Sequence, residues 1–554
     1  MWLQEIEEIF KGYLPYYILI FLPIFIIVSP VNPVYASSEF PVHRMQHYDL
    51  HGIAHGCRSA GLNLEAKSLT NWNSPRHCVV TKLKDLTVDS FRNIKLKAGG
   101  LLVMLPKDIA SLSYEDKQHL LILENAMIAQ DVSIPVYFSK YSPQLESIIR
   151  DVENNLDNSD MSKSAAEALV NSIAANGYQI VVSASTPAVQ TDAKIATIHG
   201  QLSGYNPSGN VPTVAIVAHY DSFGVAPELS FGADSNGSGV VVLLELLRLF
   251  SGLYSDQKTR GRFNIVFALT GGGKINYQGS KKWLEDQLDS IEGSILQEVS
   301  YVMCLDTLAS NDSIYMHVSK PPKDGSPSSL FFKELKSVGG ALYPDTSIEG
   351  VHKKINLADD ILGWEHERFS IRRLPAFTLS TLKSHKDFRK FTITDTKENL
   401  NVDKLMENTD IIAEALARYI YGVSYGKVFG DTRKIDRTHI ETWSNYISSQ
   451  ARSPQLLSAK DNLLVGTFKE TFNKYLRDAK ITFAVPDKRD PDFQFYQNTG
   501  GTVNVYSVKP AVFDLVLTIA IVLYLLLIYA FIEYFSVFYN LACNFTVNKK
   551  IKNF

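Results

Sequence analysis

The chain has 554 residues, 45% of them hydrophobic and 20% charged, with a formal net charge of −3 and four cysteines. This length admits two or three domains, and the apolar share is enough to build packed cores. The near-neutral charge gives no argument for a nucleic-acid partner, and so few cysteines exclude a disulfide-rich scaffold.

An uncharged apolar run from Tyr13 to Val28 opens the chain, followed by Ala36, a small residue suited to cleavage before Ser37. The run reads as a cleaved signal or as an uncleaved anchor, preceded by an acidic segment with Glu5, Glu7 and Glu8. In both readings the chain after residue 36 is translocated. Cys57 and Cys78 can then pair in a lumenal compartment, whereas Cys304 lies in an apolar strand.

From 99 to 153 the pattern alternates between strand and helix: Gly100 to Leu105, Glu115 to Ala129, Ile134 to Phe138 and Pro143 to Val152. A small α/β lobe is expected over 37–160, ending in a polar linker that begins at Asn154. A larger α/β unit follows over 161–424. Its expected helices are Ser164 to Ala175, Val240 to Leu253, Lys281 to Leu288 and Val402 to Tyr421. Its expected strands lie at 178–184, 194–200, 213–218, 263–269, 299–305 and 374–379. Such alternation argues for a mostly parallel sheet covered on both faces. A helical, charged appendage and membrane-proximal linker are expected over 425–511.

Val512 to Ile532 is interrupted only by Asp514. About 20 apolar residues at 1.5 Å each cross a hydrocarbon core of about 30 Å. Lys549, Lys550 and Lys552 follow, so the tail over 533–554 is expected to be cytosolic, with Cys543 reduced. The expected topology is a single-pass type I membrane protein with a large lumenal part. Lys550 and Lys552 resemble a dilysine signal for retrieval to the endoplasmic reticulum.

Several pieces of a metal site occur in order. Val214 to Ala218 is a buried strand ending in His219-Tyr220-Asp221, and in open α/β sheets ligands gather at the carboxyl ends of strands. A Gly-rich turn with Asp234, Gly237 and Gly239 precedes a helix. Tyr301 to Leu305 ends in Asp306. Glu365-His366-Glu367 and His385-Lys386-Asp387 complete the set. Taken singly, each histidine is more often a hydrogen-bonded residue than a ligand, and the glycines can serve only the turn.

The ordered combination over about 175–423 resembles the co-catalytic zinc aminopeptidase family, which includes the transferrin-receptor and glutamate-carboxypeptidase branches. The resemblance implies that His219 and His385 are terminal ligands, with His366 the alternative to His385. It implies that Asp234 bridges two metals, that Asp306 is a carboxylate ligand and that Asp221 orients His219 from behind. It also implies a Glu-Glu pair after the strand over 263–269, one Glu a general base and one a ligand. Gly273 and Lys274 stand there instead. Gly273 cannot take a proton from metal-bound water, and a protonated lysine repels a dication. No Asp or Glu lies between Phe267 and Ser280. Lys274 is expected to neutralise Asp234 or Asp306, leaving a fold without metal, cofactor or hydrolysis.

The runs Ala218 to Pro227, Gly232 to Gly239, Gly271 to Lys274, Trp364 to Phe369, Asp487 to Pro491 and Val508 to Asp514 are similar to the nicastrin-like relatives of that family. That resemblance implies a non-catalytic membrane protein of the endoplasmic reticulum. Its implied partners are a Nodal-modulator-type lumenal protein and a small multi-spanning protein, in an assembly joining the translocon that inserts multi-pass membrane proteins. Influence on Nodal signalling and receptor subunit assembly would follow. Active zinc aminopeptidase and peptide-binding module are the competing readings. Asn236-Gly237-Ser238 and Asn311-Asp312-Ser313 are glycosylation sequons, and both asparagines are expected to be modified; Asn544, in the tail, is not.

Overall fold

The structure is a computed structural model and describes residues 38–160, 177–537 and 539–540, apart from 208, 210, 290–293, 297, 360, 431, 432, 460, 509 and 510. The N-terminal apolar run, the helix expected over 164–175, Cys543, Asn544 and the tail lysines lie outside the described residues.

Apolar strands alternating with helices produce the central layer. Eight strands run in the order Ser347–His352, Ser313–Val318, Ala376–Ser380, Val299–Leu305, Thr213–His219, Asn264–Thr270, Ile195–Leu202 and Lys480–Ala484. The four strands from 376–380 to 264–270 are parallel neighbours. The expectation of a mostly parallel sheet fits that centre, but the sheet as a whole is mixed. Ile195–Leu202 lies antiparallel to Asn264–Thr270, and Lys480–Ala484 antiparallel to it in turn. Ser313–Val318 lies antiparallel to Ala376–Ser380. Antiparallel neighbours need no covering crossover helix, so the flanks can be built from excursions and from the end of the chain.

Alternation along each central strand feeds two cores. Val214, Ile216 and Ala218 face the helices Gly237–Tyr254, Pro327–Leu342 and Val402–Tyr421. Ala215 and Val217 face Trp283, Leu284 and Phe369. Helix 237–254 is apolar almost all round and is the buried core of the domain rather than a membrane span.

The small lobe is a closed barrel of seven strands in the order 38–44, 500–508, 177–182, 62–67, 77–82, 100–104 and 136–139. Two of these come from elsewhere than the sequence pattern suggested. Strand Gly177–Val182, expected in the larger unit, pairs with Leu62–Lys67 and Gly500–Val508. Strand Gly500–Val508, expected in a helical linker, pairs with Ser38–Arg44. Without them the edges of 38–44 and 62–67 would be open, and closure removes such edges. Cys57 and Cys78 are both buried thiols in separate cores and do not form a bridge.

The segment after 434 is helical at Arg437–Ser448, Pro454–Leu457 and Leu463–Tyr475, but it is not detached. Ile440, Ile447, Leu464, Phe468 and Phe472 enter the main core. The fully buried Arg452 donates to the carbonyls of Tyr220, Phe231 and Gly232. The chain then leaves the barrel into the exposed apolar helix Ala511–Glu533.

Candidate functional site

Strand ends converge on one buried cluster. His219 is the last residue of Thr213–His219, Asp306 follows Val299–Leu305, and Gly273 and Lys274 follow Asn264–Thr270. His219 and Asp306 are each about 1% exposed and Lys274 is 6% exposed. The expected pieces are therefore brought together, but their bonds differ from those of a metal centre.

Asp306 is paired with Lys390, not Lys274: Nζ lies 2.9 Å from Oδ2, and the Lys390 ammonium also sits 4.0 Å from the centroid of the Trp364 ring. Burial alone would raise the Asp306 carboxyl. Lys390, His219 and Lys274 outweigh that and hold it well below the usual carboxylate range. The expectation that Lys274 contacts Asp234 or Asp306 is corrected: its Nζ donates to Ser235 Oγ at 2.7 Å and lies 5.4 Å from the Phe391 ring centroid. Burial lowers Lys274 to about 8, and the nearby Asp306 charge opposes that shift.

Asp221 does not orient His219. Its carboxylate accepts the backbone N–H groups of Gly273 and Lys274 at 2.7 and 2.8 Å. The partner of His219 is Glu365, with Oε2 3.2 Å from Nδ1. Glu365 also accepts from Thr270 Oγ1 and Ser280 Oγ. At Gly273 an added Cβ would lie 2.3 Å from His219 Cγ. The imidazole thus fills the space in which a side chain at 273 would begin.

Asp234 is committed to Ser238 Oγ at 2.6 Å, the Ala309 N–H at 3.0 Å and the Ser310 hydroxyl. Burial raises its carboxyl despite those bonds. Asp395 caps the same turn, accepting the N–H of Asp234 and Ser235; burial and the Asp234 charge push it up to about 6. His385 sits at the rim against Gly363, lowered to about 4 by burial and by Lys353 and Lys390. His366 points elsewhere: its Nδ1 meets Thr378 Oγ1 at 2.8 Å in the core.

Asn236 corrects a further expectation. Its amide is fully buried and donates to the carbonyls of His219 and Leu305 at 3.0 and 2.8 Å. Its Oδ1 accepts from Gly239 N, which caps helix 237–254, and from Thr307 N. A glycan on that nitrogen would displace these bonds, so the geometry opposes modification there. Asn311 is only half-buried, with Nδ2 3.0 Å from the Thr381 carbonyl.

A pair of zinc ions needs several neutral or anionic donors converging on each ion at about 2 Å. Among the described residues no three His, Cys, Asp or Glu side chains form such a group. Two lysine ammoniums stand around Asp306, and His219 Nδ1 is turned to Glu365. These residues do not fit the metal pair. Beside them a cleft of about 640 Å³ remains, lined by Tyr114, Asp234, Ser235, Ser310, Arg389 and Asp395 among others. Lys390 and Asp395 were not singled out in the sequence, and Glu365 was named only within its run, without a role. A buried Asp306 demands a cation, but nothing in the spacing distinguishes Lys386, Arg389 and Lys390.

The sheet and the positions at its strand ends define a domain of the peptidase M28 type, and the family model described as peptidase family M28 matches residues 197–416. The crystal structure of the gamma-secretase component nicastrin shares the fold, with a TM-score of 0.58 at 12% identity over 86% of this chain and 100% of that one. Over its full length the chain is similar to the BOS complex subunit NCLN of Homo sapiens, at 40% identity over 99% of this chain and 100% of that protein. The Danio rerio protein of that name is 42% identical over 97% of both chains. Nicalin of Caenorhabditis elegans is 29% identical over 88% of this chain and 89% of its own length. The chain belongs to this nicalin, or BOS complex subunit, family.

Proposed function

We propose that this chain is a non-catalytic scaffold subunit of an endoplasmic-reticulum membrane complex that assists insertion and assembly of multi-pass membrane proteins. Full-length similarity to proteins named as BOS complex subunits supports the complex. The single observation that favours a non-catalytic role is the Lys390–Asp306 ion pair within a degenerate metal site, with Gly273 in place of a base. The proposed partners are a Nodal-modulator-type lumenal protein and a small multi-spanning protein, with effects on Nodal signalling and receptor subunit assembly following from clients. The proposed topology is type I, held by the helix Ala511–Glu533, with Asn311 as the glycan acceptor.

Affinity purification of the full chain from membranes, with identification of its companions, tests this reading. Two such partners in fixed ratio are expected; isolation of the chain alone from gently solubilised membranes would overturn it. The same preparation is expected to release no amino acid from aminoacyl substrates with added zinc. The second reading is a peptide-binding module, favoured by the cleft beside Asp234 and Ser235. Saturable peptide binding that is lost on narrowing the cleft by Ser310→Trp would support it.

A further inference from the structure

The two edges of the eight-stranded sheet differ. Lys480–Ala484 begins with an exposed lysine, and the rest of it is half-buried or buried. Ser347–His352 has Ser313–Val318 as its one neighbour among the described residues, and four of its six residues are exposed. It contains no proline or lysine, and its register with 313–318 runs without a bulge. Folds use such devices to blunt open edges, because a free edge is a template for another chain.

Parallel pairing fixes which backbone groups are free. In a parallel pair, alternate residues turn both N–H and C=O to the same neighbour. Ser347 and Lys353 donate to the carbonyls of Asp312 and Val318, each at 3.0 Å. The odd-numbered residues thus face strand 313–318, and Ile348, Gly350 and His352 point their N–H and C=O groups outward. Among the described residues none of these outward groups finds a partner.

The edge also has a chemical character. A Cβ on Gly350 would make ordinary contact with Phe332, 3.5 Å from Cζ, so the glycine leaves the ring uncovered on that side. The ring is half-buried, and one face carries the flexible Lys336, whose ammonium stands 4.6 Å from the centroid. Side chains alternate across a strand, so Glu349, the strand's one carboxylate, is exposed on the opposite face.

We propose that this edge is an interaction surface on which an extended segment of a partner polypeptide adds a further strand. The segment places an apolar side chain over Phe332 beside Gly350, and next to it in sequence a lysine or arginine beside Glu349. In strand addition the main-chain hydrogen bonds supply affinity, and alternate side chains supply specificity. The proposal rests on the reading of the chain as a complex subunit. A second copy of this chain fits less well. Paired antiparallel about Gly350, two copies set glycine against glycine and leave both Phe332 rings uncovered. The shift that brings Ile348 opposite Gly350 sets Glu349 against its own copy, and like charges directly opposite are destabilising.

The full chain would be purified from membranes in mild detergent, both with its companions and after stripping them with salt. Amide hydrogen exchange would be read at residue resolution over 347–353. A synthetic peptide alternating phenylalanine with lysine would be added to the stripped chain, beside its glutamate-for-lysine counterpart. Amides 348, 350 and 352 are expected to exchange rapidly in the stripped chain, and at least about tenfold more slowly with the companions or the lysine peptide. Gly350→Pro removes an N–H that the fold does not use and sets a ring on the open edge. It is expected to abolish the protection of 348 and 352 at unchanged melting temperature. If that variant does not fold, Glu349→Lys is expected to weaken the lysine peptide about tenfold and to favour the glutamate counterpart. Exchange at these amides that stays rapid with the companions bound overturns the proposal, as does protection that survives the variant. Protection that rises with the concentration of the stripped chain overturns it in favour of self-pairing. If the wild type brings down no companion, the complex-subunit reading fails, and the lysine peptide alone decides the edge.

Discussion

At the residue scale, two buried lysines stand around Asp306, and they do so unequally. Lys390 is 3% exposed and directly paired with Asp306, whereas Lys274 makes its close contact with a hydroxyl. Removing one partner of a buried pair leaves an uncompensated charge and costs about 3–5 kcal/mol. Lys390→Met is therefore expected to destabilise the protein by that order in chemical denaturation. Lys274→Met also removes a desolvated ammonium, so its expected cost is smaller, about 1–2 kcal/mol for one charge-assisted hydrogen bond. Equal losses from the two variants would contradict this ranking. Gly273 supplies a second test. The His219 ring fills the space in which a side chain there would begin. Gly273→Ala is expected to cost roughly 1–3 kcal/mol by overpacking against the imidazole. A melting temperature unchanged by that substitution would show the ring to be free to move.

At the element scale, one helix of the barrel lobe is locked to the M28-type domain. Glu124 on Tyr114–Ile128 accepts the N–H of Val225 at 2.7 Å and of Ile393 at 2.9 Å. Leu83, Leu120, Leu123, Met127 and Phe138 surround it. Burial pushes its carboxyl up to about 7; bonds from Thr392, Val225 and Ile393 oppose the shift without cancelling it. The folded protein thus binds this proton more tightly than the unfolded chain, whose carboxyl has the ordinary value of 4.5. The contribution is fully present below pH 4.5 and is lost as pH rises through about 7. Relative to Glu124→Gln, the wild type is expected to lose roughly 2–4 kcal/mol of stability between pH 4.5 and pH 8. Thermal unfolding of both proteins across that range checks it, since groups common to both cancel in the difference. Parallel pH profiles would mean that the carboxylate stays ionised at the interface.

At the scale of the whole molecule, local signals and long-range closure were unequally legible. The apolar strands ending in His219 and Asp306, the helix after the Gly-rich turn and the C-terminal apolar helix announce themselves by composition and period. The family resemblance placed His219, Asp306 and Lys274 at neighbouring strand ends, which the structure brings together. It could not assign bonds: Asp221 to the amides of 273 and 274, Asp306 to Lys390, and Asn236 to buried carbonyls are choices made by three-dimensional neighbours. The barrel was hidden for a related reason. Gly177–Val182 and Gly500–Val508 carry strand patterns, but a period of two identifies a strand without naming its partner. In the fold, Ser38 pairs with Val505, so the first and last strands among the described residues are neighbours in one closed barrel. Truncation after Val485 would remove both 493–495 and 500–508. Strands 38–44 and 177–182 would each lose a neighbour, and the sheet of 47–50 and 53–57 would lose its edge. The expected outcome is a lobe with open edges that exchanges its amide hydrogens rapidly at 38–44 and 177–182 and aggregates. Strand 264–270, whose neighbours are 213–219 and 195–202, stays protected in any folded fraction. Native-like protection of 38–44 in the truncated chain would show that the barrel closes without its last strand.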